Sequence, residues 1–247
     1  PMQKRQMCTQ EGNNVGVCAI NGNFDDAQTG VKTIFTDAQI KEVFAKNNLV
    51  FSSANSINWG RLVPQIVYYF SAYCDMLKQG KINLGDKINV VVPTGNFGNI
   101  LAANYAMKMG LPIGKLICAS NANNVLTDFI TTGKYDRNRG FFATISPSMD
   151  ILISSNLERL MFTLHGEDDA AVRKLYDSLK ENGTFEVSEE VLAKIKALYS
   201  AGCCDDEETK ATIKEVYDTY NYLCDTHTAV AVKVCEVRLR GETYIAV

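Results

Sequence analysis

One segment, residues 88–103, constrains the fold of this chain more than any other. Branched apolar residues at positions 88 and 90–92 predict a buried strand, and apolar residues at helical spacing over positions 100–107 predict a helix. The loop between them, residues 93–99, contains two glycines. A strand, a short loop and a helix in this order indicate an α/β protein with a mostly parallel sheet.

The same loop has the features of an anion-binding site. At a helix N-terminus the backbone N–H groups point outward, the helix dipole adds positive potential, and glycines let a ligand approach the backbone. The loop sequence Pro-Thr-Gly-Asn-Phe-Gly-Asn has no Walker-type lysine and no G-x-G-x-x-G pattern. A small phosphate ester, such as a cofactor phosphate, therefore fits better than a nucleoside triphosphate or a dinucleotide. An ordinary βα turn without a ligand is the alternative.

Composition excludes several classes of partner. The net charge is −3 without a basic run, which argues against nucleic acid and anionic membranes. The sequence has neither a transmembrane-length apolar stretch nor a signal-peptide pattern. Its eight cysteines are scattered without metal-ligand spacing, so we expect no metal site and a reduced, cytoplasmic setting. Residues 203–206, Cys-Cys-Asp-Asp, are interpreted as a loop between helices rather than a metal or redox patch.

Strands and helices alternate up to about residue 146, and the later pattern is chiefly helical. Besides the strand at 88–92, strands are predicted at 15–20, 49–54, 115–119 and 243–247. Besides the helix after the loop, helices are predicted at 25–35, from 37 onward and at 59–78, with Pro64 near the first turn of the last. Predicted helix starts are a Thr36/Gln39 capping box, Ser188, the acidic residues 205–208 and Thr226.

The two ends of the chain indicate a piece of a longer protein. The sequence begins on a proline and stops on a predicted strand. In open parallel sheets the active site lies just beyond the carboxyl ends of the strands, so a further segment is expected there.

Short motifs in a fixed order resemble threonine synthase, a fold type II enzyme that depends on pyridoxal 5′-phosphate. The loop at residues 94–99 resembles its phosphate-binding loop. Five other motifs match: residues 22–26 with Gln28, 53–58 with Arg61, 119–123, 146–151 with Ser155, Asn156 and Arg159, and 225–230. Together they span nearly the whole chain, which therefore resembles the middle and later part of that enzyme. The resemblance implies that residues 1–48 end the smaller α/β domain and that 49–247 form the larger cofactor-binding domain.

This resemblance also implies an activity, a lyase reaction that converts O-phospho-L-homoserine and water to L-threonine and phosphate. The residues implied to hold the cofactor phosphate are Gly95, Asn96, Phe97, Gly98 and Asn99. The residues implied to bind substrate are Asn55, Ser56, Asn58 and Arg61. From the residues alone, helix capping by Asn55 and Ser56, with Arg61 in solvent, is the simpler interpretation.

Three other polar residues leave two interpretations open. Asp150 and Arg159 either line the cleft or only cap and pair within helices. His227 follows a threonine that is expected to cap a helix, so it is interpreted as a helix N-terminal residue, although histidine is a common residue for proton transfer. His165 is interpreted as a favourable charge at a helix C-terminus.

The chain departs from the family pattern at the catalytic lysine. In the family a Schiff-base lysine motif precedes the matched region, and no counterpart occurs among these residues. We therefore expect the isolated chain to be inactive, with no catalytic residue of its own. The alternatives are a synthase-like module that binds phosphate without catalysis and a related phospho-lyase that uses the same cofactor. The oligomeric state stays open.

Overall fold

The computed structural model describes residues 5, 8–22, 24–53, 55–238 and 244–246. The chain divides into two compact units, residues 1–51 and 52–247. The assignment of residues 1–48 to the end of a smaller domain and of 49–247 to a cofactor domain stays a prediction. Within the described residues, no helix is both long enough and apolar enough to cross a membrane.

The first unit contains helices α1 (Phe24–Thr36) and α2 (Ala38–Lys46). The strand predicted at 15–20 is wrong, because Val15 forms only a single bridge to Gly12 and residues 16–20 belong to no element. A strand needs backbone pairing along its length, and among the described residues this segment has none beyond that bridge.

Two further predictions in this part of the chain are wrong. Residues 49–53 form no strand, and the Phe51 ring instead packs on Phe35 and Phe44 at centroid distances of 4.8 and 4.5 Å. The cap of α2 is Asp37, whose carboxylate accepts from two backbone N–H groups. Thr36 is the last residue of α1, and its hydroxyl donates back to carbonyls of that helix, so it is not available as a cap. Residue 54 lies outside the described part.

The second unit is built on a parallel sheet. Its described strands are β1 (Ile88–Pro93), β2 (Ile113–Ser120), β3 (Lys134–Asp136), β4 (Thr184–Glu186), β5 (Tyr199–Cys203) and β6 (Tyr244–Ala246). The order β5-β2-β1-β6 forms one all-parallel sheet, and β3 and β4 form a separate antiparallel pair. In β1, Val90 and Val92 enter one core cluster while Val91 enters the other, because successive side chains point to opposite faces.

Helices cover the faces of this sheet. The later part of the chain, from about residue 146, is chiefly helical, as the sequence predicts. Their bounds are α3 (Trp59–Leu62), α4 (Ile66–Lys78), α5 (Gly98–Lys108), α6 (Val125–Thr132), α7 (Leu157–Leu164), α8 (Asp169–Asn182), α9 (Glu189–Leu198), α10 (Asp206–Tyr220) and α11 (Thr226–Arg238). The predicted single helix at 59–78 is interrupted by a 3₁₀ turn, Val63–Gln65. Pro64 explains the break, because proline lacks an N–H and its ring crowds the preceding turn.

Helix starts confirm part of the capping prediction. Ser188 caps α9, and Asp205 and Glu208 form a capping box at the start of α10. Thr226 is not the cap of α11, because the Asp225 carboxylate accepts from the first backbone N–H groups of that helix. The interpretation of residues 203–206 is wrong in one respect: Cys203 ends a strand, so the segment joins a strand to a helix.

Candidate functional site

The candidate site lies where β1 ends and α5 begins, in residues 94–99, called the Gly95 loop below. Thr94 continues the sheet pairing, with its N–H donating to Ala119 O at 2.8 Å. In the described part of the chain, the N–H groups of Gly95, Asn96, Phe97 and Asn99 have no hydrogen-bond partner. Free N–H groups at the N-terminus of a helix form an anion-binding site, since the helix dipole adds positive potential.

The two glycines of the loop are needed for packing within the protein. An ideal Cβ on Gly95 would lie 2.6 Å from Ser148 O, and one on Gly98 would lie 2.5 Å from Ser56 Oγ. Both distances are shorter than van der Waals contact. The sequence predicts that the two glycines let a ligand approach the backbone. The structure adds that they also leave room for neighbouring protein atoms, Ser148 O and the Ser56 side chain.

Phe97 holds the loop in shape through its side chain. Its φ of +66° lies in the left-handed region, which a residue with a Cβ adopts only at a cost of roughly 1–2 kcal/mol. The side chain is buried and its ring lies 5.8 Å from that of Tyr199. Core packing therefore offsets the strained backbone, and only the main chain of Phe97 is available to a ligand.

Buried polar side chains form hydrogen bonds to the Gly95 loop. Asn156 is fully buried, and its Nδ2 donates to Ser56 Oγ and to Asn96 O, both at 3.1 Å. Ser56 Oγ in turn donates to Asn96 Oδ1 at 3.3 Å, and Ser154 Oγ donates to Gly95 O at 3.0 Å. Because the carbonyls of Gly95 and Asn96 are bonded to these side chains, the loop is fixed while four of its six N–H groups have no partner among the described residues.

Tyr69 fixes the helix side of the loop. Its hydroxyl lies 2.6 Å from Asn99 Oδ1 and 3.0 Å from Asn99 O. Burial raises the pKa of Tyr69 well above its ordinary value, so the hydroxyl keeps its proton and acts as the donor. The side-chain oxygen of Asn99 is thus engaged, and its amide N–H₂ remains as a donor.

Of the four residues implied to bind substrate, the structure brings Ser56 into contact with the Gly95 loop. Asn55 Oδ1 accepts from Ile57 N, and Asn58 caps α3 by accepting from Gly60 N. Arg61 is exposed on α3. A substrate role for Asn55, Ser56, Asn58 and Arg61 stays a prediction. The capping interpretation is wrong about the residue, because the cap of α3 is Asn58 rather than Asn55 or Ser56.

Asp150 lies in a buried polar cluster beside the carboxyl end of β2. Its carboxylate accepts from Asn121 Nδ2 at 2.8 Å, Asn123 Nδ2 at 3.1 Å and Thr144 N at 2.9 Å. These neutral donors fix the loop that carries Ser146, which also bonds Asn121. The carboxylate neither caps a helix nor, among the described residues, forms an ion pair, so its contacts hold neighbouring loops together.

Arg159 joins α7 to the segment before α3. Its Nη2 donates to Ile57 O at 2.7 Å, and the guanidinium lies 5.7 Å from the ring centroid of Trp59. With Tyr105 and Phe162 it lines a surface cavity of about 320 Å³. Burial raises the pKa of Tyr105, and the charge of Arg159 partly opposes that rise.

The two histidines lie at helix ends, as their sequence context indicates. His165 follows α7, and its Nδ1 lies 2.8 Å from Met161 O. His227 lies in the first turn of α11, where its Nε2 accepts from Ser148 N at 3.3 Å. Ser148 contacts Gly95, so this histidine is linked to the loop through one residue.

Comparison with known proteins gives close relatives, although no family model matches. Human threonine synthase-like 1 is 44% identical over 243 residues, which are 98% of this chain and 33% of that protein. Threonine synthase from Pseudomonas aeruginosa is 41% identical over 232 residues, which are 94% of this chain and 47% of that enzyme. The crystal structure of PLP-bound threonine synthase from Brucella melitensis matches 99% of this chain and 51% of that one, with a TM-score of 0.85 and 43% identity.

The chain is a homologue of threonine synthase. It spans about a third to a half of the length of the relatives it matches. The resemblance read from the ordered motifs is therefore confirmed, and so is the fold class, a fold type II α/β architecture with a mostly parallel sheet flanked by helices. The individual site residues of this threonine synthase homologue stay predictions.

Sequence reasoning missed three contributors to the site. Ser154 and Tyr69 hold the loop, yet neither lies in a matched motif, and no spacing rule connects them to it. Asn156 lies in a matched motif without an assigned role. A buried asparagine that must satisfy several hydrogen bonds is recognised only once its neighbours are known.

Proposed function

We propose that this chain forms the cofactor-binding part of a pyridoxal 5′-phosphate-dependent lyase that converts O-phospho-L-homoserine and water to L-threonine and phosphate. The observation that carries the proposal is the Gly95 loop, in which four N–H groups without a partner among the described residues lie at the start of α5. A phosphate dianion needs several such donors, and a fixed loop loses little entropy on binding. The relatives named threonine synthase, and the PLP-bound one among them, support this cofactor and reaction.

In this proposal one group of residues binds the cofactor phosphate and another group faces the substrate. Gly95, Asn96, Phe97 and Asn99 hold the cofactor phosphate through their N–H groups, and Gly98 completes the turn. The bound cofactor supplies the electron sink for the reaction, while the protein positions it and manages protons. Asn55, Ser56, Asn58 and Arg61 are proposed to face the substrate, for which Arg61 offers a fork of donors suited to a carboxylate or phosphate.

An assay of the full-length protein with pyridoxal 5′-phosphate and O-phospho-L-homoserine tests the proposal. We expect threonine and inorganic phosphate in equal amounts. Phosphate release without threonine would instead support a related phospho-lyase, and cofactor binding without any turnover would support a binding module.

The 247 residues alone are proposed to bind the cofactor without catalysis. They contain no counterpart of the family's lysine motif, which would anchor the cofactor covalently. We expect no threonine from this chain when cofactor and substrate are supplied, in a preparation whose folding is verified by circular dichroism. Threonine formation by the chain alone would contradict the expectation that catalysis needs the lysine motif.

A further inference from the structure

We propose that His227 is a positioning residue, which holds the Gly95 loop in its anion-binding shape by accepting a hydrogen bond from Ser148. This inference rests on the proposed function of the loop. It begins with the backbone contact between Ser148 and Gly95, where even one added methyl group would overlap the Ser148 carbonyl. The 3₁₀ turn Pro147–Met149 thus lies directly on the loop, and any movement of this turn changes the space that Gly95 occupies.

The turn is fixed from the other side by the imidazole. Ser148 N donates to His227 Nε2 at 3.3 Å, so Nε2 carries no proton. The neutral ring then has its proton on Nδ1, which lies 3.2 Å from Asp225 Oδ1. The contact with Asp225 therefore selects the tautomer that leaves Nε2 free to accept.

Asp225 is well placed to hold this ring. Its carboxylate accepts from the N–H groups of His227 and Thr228 and from the Thr228 hydroxyl. Partial burial tends to raise the pKa of Asp225, but these hydrogen bonds outweigh it and lower the pKa overall, so the group is an anion at neutral pH. The cap of α11 is complete without the His227 ring, whose Nε2 is engaged by Ser148.

Two substitutions separate this role from simple packing. In His227→Gln the side-chain oxygen can reach the position of Nε2 and accept from Ser148 N. In His227→Asn the amide reaches only the position of Nδ1, so Ser148 N loses its acceptor. His165→Gln, at the end of α7, is the matched control because it changes a histidine outside this contact.

The first measurement needs no ligand. In ¹H–¹⁵N spectra of the full-length protein, the Gly95 and Ser148 amide signals should shift in His227→Asn and stay near their original positions in His227→Gln and His165→Gln. Unchanged Gly95 and Ser148 signals in His227→Asn would overturn the proposal, and so would equal shifts in both His227 variants.

The second measurement is the dissociation constant of pyridoxal 5′-phosphate, followed by absorbance titration. Loss of one positioning hydrogen bond should weaken binding roughly tenfold in His227→Asn, with recovery to within about threefold in His227→Gln. Equal weakening in both variants, or in neither, would contradict the role of Nε2. If the unaltered protein does not bind this cofactor, the proposed function fails, while the amide spectra still decide the role of His227.

Discussion

At the scale of single residues, the site depends on two positions without a side chain and on polar side chains that hydrogen-bond to the loop. Gly95 and Gly98 have no room for a Cβ, and the hydrogen-bonding groups of Ser56, Ser154 and Asn156 hold loop carbonyls and side chains. Among the described residues, the N–H groups of Gly95, Asn96, Phe97 and Asn99 have no hydrogen-bond partner, while the carbonyls of Gly95 and Asn96 accept hydrogen bonds. Preorganisation of this kind favours ligand binding, since the loop does not have to be ordered when the ligand arrives.

Gly95→Ala should therefore destabilise the protein. The new methyl group would meet Ser148 O at 2.6 Å, and overpacking of this kind costs about 1–3 kcal/mol of the free energy of unfolding. Urea unfolding followed by circular dichroism measures the change. Gly140→Ala is the control, because its Cβ would meet only ordinary contacts, the nearest at 3.8 Å. Equal stability of the two variants would show that the turn over Gly95 moves aside easily.

Burial of the Cys118 thiol in β2 gives a pH-dependent prediction. Burial raises the pKa of Cys118 from 9.0 to about 12, while hydrogen bonds with Thr94 and Ser120 partly oppose the rise. Above pH 9 the unfolded thiol loses its proton and the folded one keeps it, so the folded state binds more protons. The free energy of unfolding then falls as the pH rises, by up to about 1.4 kcal/mol per pH unit for this group.

Cys118→Ala removes that contribution. Urea unfolding at several values between pH 8 and 10 should show a shallower decline of stability in Cys118→Ala than in the unaltered protein. Cys74→Ala is the control, because Cys74 is exposed on α4. Parallel declines in all three proteins would mean that the folded thiol titrates at its ordinary pKa.

At the scale of elements, local chemistry predicted the helices better than it predicted the isolated strands. The cap Ser188 and the acidic start of α10 follow from the sequence alone, because both effects act within one helical turn. The capping box that Asp205 forms with Glu208 is an addition from the structure. Residues 15–20 and 49–53 form no strand, since a strand depends on a partner that its own residues do not specify. The sequence predicts Thr36 and Thr226 as caps, and this prediction is wrong because an aspartate beside each threonine caps the helix.

The capping box of α10 should make a measurable contribution to stability. Asp205→Ala removes the acceptor for Glu208 N and should lower the free energy of unfolding by about 1 kcal/mol. Differential scanning calorimetry measures the accompanying fall in Tm. Glu207→Ala is the control, because it leaves both partners of the capping box in place and removes an exposed ion pair with Lys210, which contributes little to stability. A fall in Tm no larger than that of the control would exclude a structural role for the box.

At the scale of the whole molecule, the sequence predicted the architecture and the position of the candidate site. The strand–loop–helix unit at residues 88–103 indicated a parallel sheet, and the ordered motifs indicated the family. The contacts that shape the loop could not be predicted from the sequence. Their partners, Ser148, Ser154 and Asn156, lie more than fifty residues along the chain from the loop residues that they contact. Such pairs meet only through the packing of the complete fold.

The central claim is that the Gly95 loop binds the phosphate of pyridoxal 5′-phosphate. The most direct test compares the affinity of the full-length protein for this cofactor and for pyridoxal. The two share the ring and the aldehyde, so their difference isolates the phosphate contacts. We expect the phosphate to strengthen binding by about a hundredfold or more, as several hydrogen bonds to a charged group would. Gly98→Ala, whose Cβ would overlap Ser56, should reduce that ratio. Equal affinities for the two compounds would contradict the account.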